Sequence, residues 1–397
     1  MSKLIVVNED SGTRFPFLRG MLVKSLQQAG LDFSDAYNVA SDVRDDFEDN
    51  DEISTVELRE RIEEILGEDY PGTVLTRYKK EDISRENIRI VREDGTREPF
   101  SRGTHVQRLQ SCSISGATCN AITRKIHSTL IKNKTRTLTS AQLTAMTFKI
   151  IKDMVDQEHA DYYLIWRDFL KSNIPLLLLV GGIPGSGKST IATEVANRLG
   201  IVRTQSTDML REVMRIMIPK KLSPALHTSS FNAGKAMHIP ELYNTGLGDE
   251  HVLYGFQMQS EMVEVACEAV IQRALNENVS LIVEGVHIRP TLLKRIASTE
   301  AVVVPVCLAV LDQKRLVKFI KGRSAENKQR RAQRYLNNLD AIWQLQEVLV
   351  SEADNEDVEI IDNEEVNDTA TDIINIIIQT IAVTYKGKLT ALRDKYT

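Results

Sequence analysis

Residues 182–190 read Gly-Ile-Pro-Gly-Ser-Gly-Lys-Ser-Thr, a glycine-rich turn followed at once by a cation and two hydroxyls. Gly182, four residues, then Gly187, Lys188 and Ser189 satisfy the P-loop pattern in full. The chemistry explains the residue types. Glycines let successive backbone N–H groups turn toward one anion, and the start of a helix adds its dipole. Ile183, Pro184, Gly185, Ser186 and Thr190 complete the cradle. Lys188 is placed to reach the β- and γ-phosphates, and the Ser189 hydroxyl to hold Mg²⁺. The flanks agree. Leu176–Val180 is an apolar run suited to a parallel strand covered on both faces, and Thr190–Leu199 is apolar at Ile191, Val195 and Leu199, a helical spacing of four. The chain is expected to bind a nucleoside triphosphate, ATP with Mg²⁺.

Other polar residues sit where an α/β sheet gathers its ligands, just past the ends of strands. Ser206-Thr-Asp208 follows one strand, with Arg211 and Arg215 four apart on the helix behind it. Asp208 can orient a hydroxyl and accept its proton, or serve as a plain helix N-cap. Arg211 and Arg215 share a helical face and can grip an anionic acceptor, or simply face solvent. After another strand comes Glu284-Gly-Val-His287, where a carboxylate can position Mg²⁺ water or the acceptor. His287 and His227 are weaker candidates for substrate binding, since a lone histidine is more often a satisfied structural partner. Lys314–Arg334 carries nine basic residues against one acid. It reads as a lid whose arginines close over the phosphates, with Arg323 and Arg330 as the selected catalytic members beside Lys188 and Asp208.

The elements that must carry these residues alternate. Candidate strands are Leu176–Val180, Val202–Gln205, Ser280–Val283, Val302–Leu308 and Val358–Ile361, with helical stretches between them. That alternation predicts an α/β fold: a P-loop NTPase parallel sheet with helices on both faces. The N-terminal part repeats itself. Gly12-Thr-Arg-Phe-Pro-Phe-Leu-Arg-Gly20 matches Gly95-Thr-Arg-Glu-Pro-Phe-Ser-Arg-Gly103 at seven of nine positions, 83 residues apart. Each copy follows a β-branched run and an acidic turn, a hairpin signal, and each continues into helical patterns, Val56–Leu66 and Ala141–Val155, that open on Ser or Thr. The domains expected are two small α+β modules, residues 1–80 and 84–170, then a kinase-like domain over 175–397 with its lid near 314–334. Asp42–Glu52, with seven acids in eleven residues, reads as a solvated loop and helix end.

Composition narrows the class. Of 397 residues 42% are hydrophobic and 26% charged, ordinary for a soluble globular chain, and the net charge of −5 argues against a general nucleic-acid binder. The four cysteines form no CxxC pair, the opening MSKLIVVNEDSG lacks a secretory h-region, and the apolar tract at Ile373–Ile378 is too short to span a bilayer. A cytoplasmic protein without membrane contact is expected, and the sequence leaves a homo-oligomer open.

The tandem N-terminal modules resemble the ATP-cone, a small regulatory nucleotide-binding module. Where that family's hairpin carries Lys-Arg-Asp-Gly, this chain has Asn8-Glu-Asp-Ser-Gly12 and Arg92-Glu-Asp-Gly95. A nucleotide effector site and a docking or oligomerisation role both stay open. The C-terminal half resembles archaeal 2-phosphoglycerate kinase and its relatives. The residues that carry this are the P-loop, Gln205–Arg215 (QSTDMLREVMR), Leu226–Ser230 (LHTSS), Gly255–Gln259 (GFQMQ), Glu284–His287 (EGVH) and Arg334–Ile342 (RYLNNLDAI). The resemblance implies transfer of a phosphoryl group from ATP to the free hydroxyl of 2-phosphoglycerate, giving 2,3-bisphosphoglycerate, with Mg²⁺ required. The lid approach Leu316–Arg323, the Ile342-Trp343 pair and the tandem modules depart from the family pattern. Two alternatives stand beside it: a kinase for another small anionic acceptor, and a nucleotide-sensing regulatory protein without turnover.

Overall fold

Ile5, Val6 and Val7 are β-branched and form strand β1 (Ile5–Asn8). It pairs antiparallel with β2 (Thr13–Pro16) and parallel with β3 (Glu52–Ser54). Between these strands run α1 (Arg19–Ala29) and α2 (Phe33–Asp46), and α3 (Thr55–Asp69) and α4 (Gly72–Ser84) follow. The same succession then returns as β4 (Arg89–Val91), β5 (Arg97–Pro99), α5 (Arg102–Gln110), α6 (Gly116–Lys132), β6 (Thr137–Thr139), α7 (Ser140–Met154) and α8 (Gln157–Phe169). The two sheets have one topology, β2-β1-β3 and β5-β4-β6. Even the caps repeat. The Ser54 hydroxyl accepts from the Glu57 amide at 3.0 Å while Glu57 accepts from the Ser54 amide at 2.8 Å; Thr139 and Gln142 exchange the same bonds at 3.1 and 2.8 Å. The acidic turn of the second hairpin is held by Asp94, which accepts from the Thr96 amide and hydroxyl.

The structure is a computed structural model and describes residues 4–8, 13–84, 88–236, 250–296, 300–322, 332–385 and 387–396. It divides into two compact units. One comprises 1–100 and 128–138, the other 101–127 and 139–397, so the division runs through the second repeat. In the first unit, Leu26, Val39, Ile62 and Leu66 bury against one another between α1, α2 and α3. The acidic stretch 42–52 covers the end of α2 and the turn into β3, where Asp46 pairs with Arg61 at 2.6 Å.

The second unit is built on five parallel strands: β7 (Leu176–Gly182), β8 (Arg203–Ser206), β9 (Leu281–Glu284), β10 (Val302–Ala309) and β11 (Glu359–Asp362). All five follow the expected strands, shifted by a residue or two at most at their ends. Their spatial order is β11-β10-β7-β9-β8. The chain starts in the middle at β7 and turns back there, so the crevice of an α/β sheet opens at the C-terminal end of β7. The connecting helices are α9 (Lys188–Leu199), α10 (Thr207–Met217), α11 (Ala233–Ala236), α12 (Glu250–Asn276), α13 (Pro290–Ile296), α14 (Gln313–Lys321), α15 (Leu339–Asn355), α16 (Val366–Tyr385) and α17 (Leu389–Tyr396). Leu177 and Leu179 bury against Val263, Cys267 and Ile271 of α12. Leu178 and Val180 point the other way by alternation and are equally buried, on the side where α9 and α16 pack together. The apolar tract at 373–378 is the buried stripe of α16.

Helices of the second repeat lie on that same α9–α16 pair. Gln107 donates to the Asn197 carbonyl at 2.8 Å, Ser111 to the Arg198 carbonyl at 2.7 Å and Ser113 to the Thr371 carbonyl at 3.1 Å. Arg393 of α17 forks onto Asp161 of α8.

Candidate active site

β7 ends at Gly182 and α9 begins at Lys188, so the loop 183–187 sits between the central strand and a helix N-terminus. Gly187 caps the helix with φ of 90°, a left-handed conformation, and a Cβ there would come within 2.5 Å of the Asn363 amide nitrogen. The loop closes on the Ile183 carbonyl, which accepts from Lys188 Nζ at 2.7 Å and from the Ser186 hydroxyl at 2.9 Å. Lys188 is buried, its ammonium held at the loop, where the β/γ-phosphates of a nucleotide would meet it. Pro184, Gly185 and Thr190 lie in the same strand–loop–helix segment, with Ile183 fully buried beneath it.

The register of the sheet places Glu284, last residue of β9, beside Val180 and Ser206. From there its Oε1 accepts from the Ser189 hydroxyl at 2.9 Å. A hydroxyl and a carboxylate meeting at the lip of a phosphate loop are hard oxygen donors of the kind Mg²⁺ takes, so this pair fits the ion. Among the described residues no group of three or more His, Cys, Asp or Glu stands together in a way that could hold a metal ion.

On the other flank, Thr207 starts α10 and is fully buried, while Asp208 beside it is exposed. Asp208 Oδ1 lies 3.5 Å from Arg211 Nη2. Arg211 and Arg215 are not presented as a matched pair. Arg211 turns inward and donates to the Leu226 and Thr228 carbonyls, and Arg215 stays at the surface against Glu212 at 2.8 Å. The reason is local: the turn Pro224–Thr228 offers backbone acceptors that compete for the nearer guanidinium. His227 belongs to that turn, donating from Nε2 to the Ile218 carbonyl at 2.8 Å.

His287 is fully buried and both its nitrogens are engaged. Gln259 donates from its amide to the Ala225 and Thr228 carbonyls, so its oxygen faces His287 and accepts from Nε2 at 3.1 Å. Nδ1 is then the acceptor for the Thr207 hydroxyl at 2.9 Å. Burial drives its pKa down to about 3, and the cations Arg211 and Lys188 push the same way against Asp208. A neutral imidazole with no free nitrogen ties β9, α10, the 224–228 turn and α12 together. It is a brace behind the site.

The basic segment divides. Arg315 bonds Asp362 and Glu364, both at 2.9 Å, and so holds the start of α14 to the end of β11. Leu316 and Ile320 of α14 are buried and lie against Gly185 of the loop. Lys314, Lys318 and Lys321 are exposed on the opposite side. Arg323 and Arg330 lie outside the described residues. Two participants were given no role from the sequence: Gln259, which was named only as the end of the resemblance stretch Gly255–Gln259, and Asn363. The latter follows β11 directly, a position the strand-end rule covers.

The ATP cone domain family matches residues 88–172, the second repeat. A protein named 2-phosphoglycerate kinase from Pyrococcus furiosus is 36% identical over 309 residues, covering 77% of this chain and 99% of that protein. Its namesakes from Pyrococcus horikoshii and Methanopyrus kandleri are each 33% identical, over 76% and 70% of this chain and 97% and 84% of theirs. Among solved structures, a gluconokinase from Sinorhizobium meliloti matches at 13% identity with a TM-score of 0.32, covering 54% of this chain and 98% of that one.

Proposed function

The chain belongs to the 2-phosphoglycerate kinase family, an ATP-dependent small-molecule kinase by that membership, and we propose that it phosphorylates the free hydroxyl of 2-phosphoglycerate to 2,3-bisphosphoglycerate. In this reading the acceptor hydroxyl attacks the γ-phosphorus of ATP, the bond to the β-bridging oxygen breaks, ADP leaves, and the hydroxyl proton passes to Asp208. Lys188 and the loop amides hold the β/γ-phosphates. Mg²⁺, when bound, neutralises charge on the transferring group, and Ser189 Oγ with Glu284 would hold it or its water. Such a transition state needs positioning and charge neutralisation more than covalent chemistry. Arg215 and Asp208, exposed at the C-terminal edge of the sheet, are assigned to the acceptor; Arg211, His227 and His287 shape that edge from behind. Arg323 and Arg330 keep the role of stabilising transferred charge.

The observation that supports phosphoryl transfer best is the bond between Ser189 and Glu284, 95 residues apart and joined at the mouth of the phosphate loop. Two further assignments go with it. The second repeat binds a nucleotide effector, in keeping with its family match. The protein works in the cytoplasm, in keeping with four buried cysteines that form no disulfide; among the described residues no helix is long and apolar enough to cross a membrane.

The test is ADP release with 2-phosphoglycerate and 3-phosphoglycerate side by side, each with and without dATP, using Lys188→Ala as control. Turnover confined to 2-phosphoglycerate, with formation of the bisphosphate and a loss of about 10³-fold or more in Lys188→Ala, is the expected result. Turnover on 3-phosphoglycerate alone would move the acceptor, and nucleotide binding without acceptor-dependent release would leave a sensor.

A further inference from the structure

Asn363 has no part in the chemistry above, yet it bonds the phosphate loop at the same distance as Lys188 does. It is buried, 3% exposed, one residue past the end of β11. Its Nδ2 donates to the Ser186 carbonyl at 2.7 Å, across 177 residues of chain. Three contacts fix the side chain and its backbone. Oδ1 accepts from the Thr369 hydroxyl at 3.0 Å, the backbone amide donates to the Ala309 carbonyl at 2.9 Å, and the backbone carbonyl accepts from Arg315 at 3.3 Å. The orientation of the amide is dictated by its neighbour, because a carbonyl oxygen can only accept.

We propose that Asn363 is the positioning residue of the phosphate loop: by pinning the Ser186 carbonyl it aims the Gly187 amide at the nucleotide. The peptide between Ser186 and Gly187 is planar and trans, so its N–H points opposite to its C=O. Holding the oxygen toward Asn363 turns the hydrogen to the far side, where a phosphate cradle needs its donors. Without that bond the 186–187 peptide has freedom to rotate, since Gly187 has no Cβ to restrict it. Thr369 stands one step behind, orienting Asn363 from the first turn of α16.

The inference rests on ATP binding at the loop and is independent of the acceptor's identity, so its test is nucleotide binding. Affinities of the full chain for MgADP and MgATP are measured by calorimetry for Asn363→Ala, Asn363→Asp and Thr369→Val, with urea denaturation alongside. Loss of an oriented buried hydrogen bond predicts about tenfold weaker binding for Asn363→Ala. Asn363→Asp should be weaker still, because it sets a charged acceptor against the Ser186 carbonyl beside the phosphates. Thr369→Val should fall between Asn363→Ala and the parent. A residue that merely fills space would give the reverse order, with the near-isosteric Asp tolerated best. Parental affinity in Asn363→Ala, or Asp binding better than Ala, overturns the proposal. Should either Asn363 variant fail to fold, Thr369→Val alone decides it: weakened binding with unchanged stability supports the proposal, and unchanged affinity overturns it.

Discussion

At the scale of single residues, His287 shows how burial chooses between chemical roles. A histidine three residues past the end of β9 invites a substrate-binding reading, but dry surroundings and two committed nitrogens keep it neutral. The consequence is a stability that depends on pH. The folded protein holds this ring unprotonated down to about 3, whereas the unfolded chain protonates it near the ordinary histidine value. Between those values the unfolded state binds more protons, so folding stability is full above about 6.5 and declines as the pH falls toward 3, by at most about 1.4 kcal/mol per pH unit. His105, buried in the second repeat and lowered to about 4, adds in the same direction. His287→Gln should flatten the decline, seen by urea denaturation between pH 6.5 and 4.5. An unchanged slope would mean the ring is not the group responsible. The activity profile of the parent should show no step from His287 at neutral pH.

At the scale of elements, α9 and α16 serve two masters. The N-terminus of α9 is the phosphate loop, and the first turn of α16 orients Asn363, while their flanks receive helices of the second repeat. Arg198 is the joint between them. It bonds Glu194 on its own helix at 2.7 Å, Asn367 Oδ1 at 2.9 Å and the Thr371 hydroxyl at 3.0 Å, and its carbonyl accepts from Ser111. Arg198→Ala leaves several of these groups unmatched in a mostly covered site, and should lower the unfolding free energy by about 1–3 kcal/mol. Equilibrium denaturation measures it, and a midpoint equal to the parent's would show that water replaces the guanidinium freely. Helix α14 makes a comparable junction: its apolar edge, Leu316 and Ile320, closes against Gly185, and its lysines are left outside.

At the scale of the whole molecule, the chain carries more than its relatives. An alignment that takes in 99% of the Pyrococcus furiosus protein uses only 77% of this one. The two repeats have the same sheet order and the same capping box, and the ATP cone family match, 88–172, falls on the second. The first repeat buries its own core between α1, α2, α3 and α4. We therefore expect the protein lacking residues 1–84 to keep its kcat in the ADP-release assay. A shortened chain that folds but loses turnover would make the first repeat part of the enzyme.

Much was legible without coordinates. Alternating apolar runs and helical periods marked out all five strands of the parallel sheet, glycine spacing with a lysine marked the phosphate loop, and seven identities in nine residues marked the repeat. These are local properties, since backbone conformation and the burial of a face follow from neighbours a few residues away. What the sequence alone did not decide is which polar atoms meet. Glu284 reaches Ser189 and Asn363 reaches Ser186 because the sheet runs β11-β10-β7-β9-β8 and not in chain order, and Arg211 turns away from Arg215 toward the carbonyls of the 224–228 turn. Strand order is a collective outcome of packing, and it brings together groups 95 and 177 residues apart whose encounter no local pattern encodes. The phosphate-loop motif was thus written in one stretch of sequence, and the carboxylate and the amide that bond it were brought there by the tertiary fold.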